Sequence, residues 1–230
     1  MSTDFDNHAT NYSGEINAKI SQFGQEHDFY IRRKARLLNE LIANVPSGKA
    51  RVLDVGCAVG LIHSHLKGWS TLDGVDIAAA TLEAARIAHP EVTYKHFDGH
   101  VLPYQDAEFD VTFVMCVLHH VPVPQWPALA VELCRVTKPS GVVAILEHNP
   151  YNPLTNYIVR TCPLDEGVTL LKAARSQELL RQAGCIDVET RYILFTPIDN
   201  SAFETFDDML GWLPLGAQYM VTGRVPPRRG

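Results

Sequence analysis

Short, almost wholly apolar runs alternate along this chain with stretches in which apolar residues recur every three or four positions. The runs Val52-Leu-Asp-Val55, Leu72-Asp-Gly-Val-Asp-Ile77, Val92-Thr-Tyr-Lys-His-Phe97, Phe109 to Met115 and Val142 to Leu146 predict β-strands. Phe109 to Met115 is interrupted only by Asp110 and Thr112, as expected of a central parallel strand covered on both faces. Between the runs the spacing turns helical. Leu61 to Leu66 and Ala79 to Ala88 predict helices, the second halted by Pro90, and Trp126, Leu129, Ala130, Leu133 and Val136 form a one-sided stripe. Strand followed by helix, repeated, predicts an α/β chain with a mostly parallel sheet and helices on both faces.

The ends depart from this rhythm. Ile16, Ile20 and Phe23, then Tyr30, Leu37, Leu38, Leu41 and Ile42, predict two amphipathic helices ahead of the first strand. Residues 151–163 are punctuated by Pro and Asn yet rich in apolar side chains, which predicts a short helix or lid. Ser176 and Gly184 are the expected caps of a helix from Gln177 to Ala183. Ile186 to Phe195 predicts a sixth strand, Phe203 to Leu213 a further helix, and Ala217 to Gly223 a last strand, before a Pro- and Arg-rich tail expected to be disordered.

The first strand ends in a turn that carries chemistry. In Arg51-Val-Leu-Asp-Val-Gly-Cys-Ala-Val-Gly60 the small residues Gly56, Ala58 and Gly60 let backbone approach a ligand. A dinucleotide fingerprint would place a third glycine where this chain has Leu61. Asp54, two residues ahead of Gly56, would repel a pyrophosphate and suits a cationic ligand bearing an ammonium and a sulfonium. Asp76, at the end of the second strand and 20 residues beyond Gly56, is placed to accept hydrogen bonds from ribose hydroxyls.

These residues resemble motif I and the second-strand acid of class I S-adenosylmethionine-dependent methyltransferases, with Ala58 in place of a glycine. Asp98-Gly99 followed by Leu102-Pro103, the exit Cys116-Val-Leu-His119-His120-Val-Pro, and Lys138-Pro-Ser-Gly141 resemble later landmarks of the type 11 and 12 small-molecule members. The resemblance covers residues 50–195 and implies a Rossmann-like sheet of seven strands, the last antiparallel and inserted beside the sixth. It implies a cofactor site at Asp54, Gly56, Cys57, Ala58, Gly60, Asp76, Ile77, Asp98, Gly99, Cys116 and His119, and product S-adenosylhomocysteine. It also implies a lid over residues 1–45 in which Tyr12 covers the cofactor. The expected organisation is a single domain, 1–230, with a core over 50–195 and an acceptor-side cap from 151–175 and 196–215.

Methyl transfer to a hydroxyl requires removal of a proton, and a neutral histidine suits that task near neutral pH. His120 and His148, then His119, are the candidate bases, since all three sit at strand ends facing the crevice. O-methylation is therefore expected over C- or N-methylation, on a sugar-containing metabolite, lipid-linked glycan or secondary metabolite. The spacings His63-x-His65, His96-x-x-x-His100 and His119-His120 bring no third ligand with them, so no metal is expected. A nicotinamide-dependent oxidoreductase and a non-catalytic binder of the same fold are the alternatives.

Composition narrows the partners. A formal net charge of −6, without a basic block before Arg228-Arg229, disfavours nucleic acid. Five scattered cysteines with no C-x-x-C point to reduced thiols, and with no apolar leader or membrane-length run the chain is expected to be cytoplasmic and free of integral membrane association. Neither the oligomeric state nor the acceptor can be read from any spacing.

Overall fold

A computed structural model describes residues 27–46, 48–162 and 165–227. Tyr12 and the first predicted helix lie outside the described residues, as do 228–230 of the tail. The chain order is α1 (His27–Ala43), β1 (Ala50–Val55), β2 (Trp69–Asp76), α2 (Ala79–Ala88), β3 (Thr93–His96), β4 (Phe109–Met115), α3 (Trp126–Val136), β5 (Thr137–His148), α4 (Pro153–Thr161), α5 (Ala173–Gln182), β6 (Ile186–Ile193), α6 (Ser201–Met209) and β7 (Gln218–Arg224). The seven strands form one sheet in the order β3-β2-β1-β4-β5-β7-β6, parallel except for β7, which runs antiparallel to both of its neighbours.

Alternation within each strand splits the core into two layers. Val52, Val111, Phe113, Ala144, Leu146 and Met220 face α1 and α2, while Leu53, Val55, Val114, Val143, Ile145, Tyr219 and Val221 face α3 and α5. Helix α1 buries Phe29, Leu37, Leu38 and Ile42, and it is pinned to α6 by an unusual pair for a core: Arg33 and Asp207, both buried, meet at 2.7 Å. Asn152 caps α4, its side chain accepting from Thr155 N at 3.0 Å, and holds that helix over the carboxyl end of the sheet.

Three expectations change. No α-helix follows the glycine turn: between Gly60 and the start of β2 at Trp69 there is room only for one 3-10 turn, His63–His65, which ends ahead of Gly68 at φ +77°. Ser176 is not a cap. Helix α5 starts at Ala173, and Ser176 sits inside it with its hydroxyl 2.9 Å from the Tyr219 hydroxyl, so the buried pairing to β7 overrides local capping preference. Lys138-Pro-Ser-Gly141 lies within β5 rather than before it, where Ser140 adopts φ +68° and the register with β4 shifts.

Candidate active site

The carboxyl ends of β1, β4 and β5 open on a cavity of about 410 Å3, a size ordinary for small-molecule sites. One end is the turn after β1, with Asp54, Gly56, Cys57 and Ala58. The other is walled by Cys116, His119, His120 and His148, with Lys34 of α1, Leu154 and Ile158 of α4, and Gln218 of β7.

The turn is held by its backbone. Gly56 N and Cys57 N both donate to Val75 O, at 2.7 and 3.1 Å, and Ala58 N donates to Asp76 Oδ2 at 2.8 Å. Gly56 and Gly60 adopt φ +77° and +72°, and both positions are closed to a side chain: a Cβ at Gly56 would collide with Val117, and one at Gly60 would lie 2.8 Å from both His63 Nδ1 and Tyr94 Oη. Ala58 also sits in the left-handed region, at φ +46°, so its one methyl group is strained by roughly 1–2 kcal/mol. Asp54 faces the cavity but is already engaged, its Oδ2 3.0 Å from His63 Nε2, whose Nδ1 lies 2.7 Å from the Tyr94 hydroxyl. Burial pushes Asp54 above the usual carboxylate range, and the His63 contact opposes it.

Asp76 sits as expected at the tip of β2, buried, with Oδ1 accepting from Ala78 N at 2.9 Å and Oδ2 from Ala58 N. A carboxylate has lone pairs for more, so both oxygens can still accept from a diol. Ile77 is exposed beside Gly99, 3.5 Å from where a Cβ would be. Asp98 is not brought in. It is exposed, outside the cavity lining, and its carboxylate accepts from His100 N and Val101 N in a closed turn. Cys57 and Cys116 border the cavity, and burial raises both thiols, which makes them poor thiolates.

The three histidines meet but are unlike. His119 is buried, its Nδ1 2.6 Å from Glu147 Oε2 and its Nε2 3.5 Å from Asp165 Oδ1. Burial alone would lower its pKa; the charges and hydrogen bonds of Glu147 and Asp165 outweigh burial and hold it at about 10. His119 is therefore an imidazolium at neutral pH and no proton acceptor. The same contact holds Glu147, fully buried, below the usual carboxylate range. His120 and His148 go the other way: burial, reinforced by the His119 charge, lowers each to about 4, so both are neutral. Gln218 Nε2 lies 3.1 Å from His148 Nδ1; donating there, it leaves the proton of a neutral His148 on Nε2. His120 Nε2 lies 3.5 Å from Asp165 Oδ1, so the ring is oriented by a carboxylate.

A doubly wound sheet closed by an antiparallel strand between β5 and β6, with a glycine turn and a buried acid at adjacent strand tips, defines a Rossmann-like methyltransferase fold. Residues 53–145 match the family described as "Methyltransferase domain". The ubiquinone biosynthesis O-methyltransferase of Bordetella bronchiseptica is 30% identical over 66% of this chain and 68% of its own length. The demethylmenaquinone methyltransferase of Renibacterium salmoninarum is 32% identical over 69% of this chain and 65% of its own length. A Haloferax volcanii methyltransferase solved with a methyltransferase activator superposes with a TM-score of 0.69 at 21% identity, over 98% of this chain and 99% of that one.

The chain belongs to the S-adenosylmethionine-dependent methyltransferases. The nicotinamide alternative falls with that membership, and the residues present fit S-adenosylmethionine: a turn closed to side chains lines the cavity through Gly56, Cys57 and Ala58, and Asp76, buried and outside that lining, is tied to the turn through Ala58 N.

Asp165, Glu147, Lys34 and Gln218 were not singled out from sequence as site residues. His119, His120 and Asp165 also bring one ligand atom each to within 4.8 Å of one another, a spacing that could hold a metal and that the histidine intervals alone did not disclose. Binding there would have to displace a proton held at about 10, which weakens metal affinity roughly 1,000-fold at pH 7. Turnover after exhaustive chelation is accordingly expected to equal that of untreated enzyme. A loss restored by zinc would make the cluster a metal centre instead.

Proposed function

We propose that this enzyme methylates a hydroxyl of a small, largely apolar phenolic acceptor, with His120 as the base. Quinone-pathway names among the relatives support an aromatic acceptor over the sugar- or glycan-bearing ones expected from sequence. So does the acceptor end of the cavity, where Met115, Leu154, Ile158 and Phe195 supply apolar walls. Bound S-adenosylmethionine supplies a methyl group on a sulfonium, open to in-line displacement. The glycine turn and Asp76 hold its nucleoside end, and α1 and α4 exclude water from the far end.

One observation supports the choice of base: of His119, His120 and His148 at the strand ends, His120 combines a neutral ring with a carboxylate, Asp165, facing Nε2 at 3.5 Å. With Asp165 beside Nε2 to stabilise the imidazolium that forms, the neutral ring of His120 is the group that takes the hydroxyl proton. His148, donating from Nε2, positions the acceptor oxygen.

The test is methyl-labelled S-adenosylmethionine with a panel of catechols, sugars and amines, the product located by mass spectrometry and NMR. Label is expected on phenolic oxygen. His120→Gln should lower kcat about 100-fold or more while leaving S-adenosylhomocysteine affinity within about twofold. Label confined to sugars or amines would overturn the acceptor class, and an unchanged kcat would remove His120 as base.

A further inference from the structure

Among the described residues, the buried charged side chains are, with one exception, paired. Arg33 meets Asp207, Asp54 meets His63, Glu147 meets His119, Asp73 accepts from the Tyr104 hydroxyl, and Asp76 accepts two amides. Lys34 is the exception. It is 4% exposed, lies on the apolar face of α1 between Ile31 and Leu38, and lines the cavity, yet no described residue gives its ammonium a hydrogen bond or an ion pair. The stem of Lys34 is buried while its ammonium opens on the cavity, where a bound molecule can meet its charge.

Lys34 shares the wall of this cavity with Cys116 after β4, His148 at the end of β5 and Gln218 of β7. The carboxylates nearest that wall, Glu147 and Asp165, are engaged by His119 and His120. A second polar atom there is also orphaned: Gln218 Oε1 is buried with no hydrogen-bond donor.

We propose that Lys34 is the counter-ion for an ionised oxygen on the methyl acceptor, so that the cavity selects acidic hydroxyl compounds, phenols and enols, and that Gln218 Oε1 receives a neighbouring hydroxyl of the same molecule. The proposal rests on the phenolic reading above. Lys34 lowers the cost of the phenolate that His120 creates, and a neutral alcohol gains nothing from it. The ammonium is a positioning and specificity group and exchanges no proton with the acceptor.

An anionic oxygen could also come from the methionyl carboxylate of the cosubstrate, and the experiment separates the two sources. Para-nitrophenol, which is coloured only when ionised, is titrated in the presence of saturating S-adenosylhomocysteine. The wild type should bind the ionised form at least tenfold more tightly than the neutral form, and Lys34→Gln should abolish that preference. Affinity for S-adenosylhomocysteine should stay within about twofold in the variant. Lys34→Arg should retain the preference, and the melting temperature of Lys34→Gln should not fall, since no hydrogen bond or ion pair to a described residue is lost.

A drop of tenfold or more in S-adenosylhomocysteine affinity, with 5′-methylthioadenosine affinity unchanged, would assign Lys34 to the methionyl carboxylate and overturn the proposal. So would an equal preference for both forms of the probe in wild type and variant. Because the readout is binding, a failure of the phenolic panel to accept methyl groups leaves this result to be judged separately.

Discussion

Replacing His119 by Gln should cost the folded protein about 3–5 kcal/mol, the usual range for breaking one partner out of a buried ion pair. Glu147 has no exposure, and its other contacts are backbone donations from Val117 N at 3.1 Å and His148 N at 3.3 Å. Without the imidazolium, its charge and that of Asp165 lose the cation that both contact. Urea unfolding at pH 7 measures the loss, and adding Glu147→Gln should recover much of it. The pH dependence has a definite sign. Because the folded pKa of His119 is raised to about 10, its stabilisation is complete below the ordinary histidine value of 6.5 and is lost as pH climbs from there through about 10. The stability gap between wild type and His119→Gln should narrow over that window. A gap that is constant from pH 6 to 10 would mean that packing, not charge, makes His119 necessary.

Asp76→Ala should weaken S-adenosylhomocysteine binding at least about 30-fold, equivalent to ~2 kcal/mol, in calorimetry. Two effects add. The proposed ribose acceptor is removed, and Ala58 N loses the oxygen that ties the glycine turn to the tip of β2. Asp76→Asn divides them, since an amide oxygen can still accept from Ala58 while the charge is gone. An intermediate loss for Asn and a full loss for Ala is expected. Unchanged affinity in Asp76→Ala would leave Asp76 as a turn anchor alone.

The sheet is legible in sequence because its central strands, buried on both faces, are written as unbroken apolar runs such as Phe109 to Met115. The insertion of β7 beside β6 came from family resemblance, and the antiparallel ladders bear it out. The helix after β1 was misread for a reason of length. Leu61 to Leu66 has helical spacing, but the spacing says nothing about how soon Trp69 must enter the sheet. Ser176 misled because capping preference is local, whereas its hydroxyl is satisfied by Tyr219 from far along the chain. Asp98 follows β3 as expected, and its carboxylate closes the Asp-Gly turn by accepting from His100 N and Val101 N.

The site was half visible. Turn and acid fall at fixed intervals along two consecutive strands, so their place at adjacent strand tips could be read directly. Lys34 and Asp165 could not. A lysine on an apolar helix face reads as a snorkelling surface residue. Asp165 sits in an irregular stretch beyond α4, where no periodicity marks its partner. Glu147 was read only as the end of a strand, because its partner His119 is 28 residues away in sequence and adjacent only across the sheet.

The position of β7 also fixes the order in which the enzyme can assemble during synthesis. β6 pairs with no strand but β7, and β5 takes β7 along one whole edge. A nascent chain that has not yet emerged past Gln218 therefore carries an open edge on β5 and a sixth strand with nowhere to dock. The strand tips at Asp54 and Asp76, on β1 and β2, can form at that stage. The cavity wall cannot be completed, because Ala217 and Gln218, which line it and contact His148, arrive with β7.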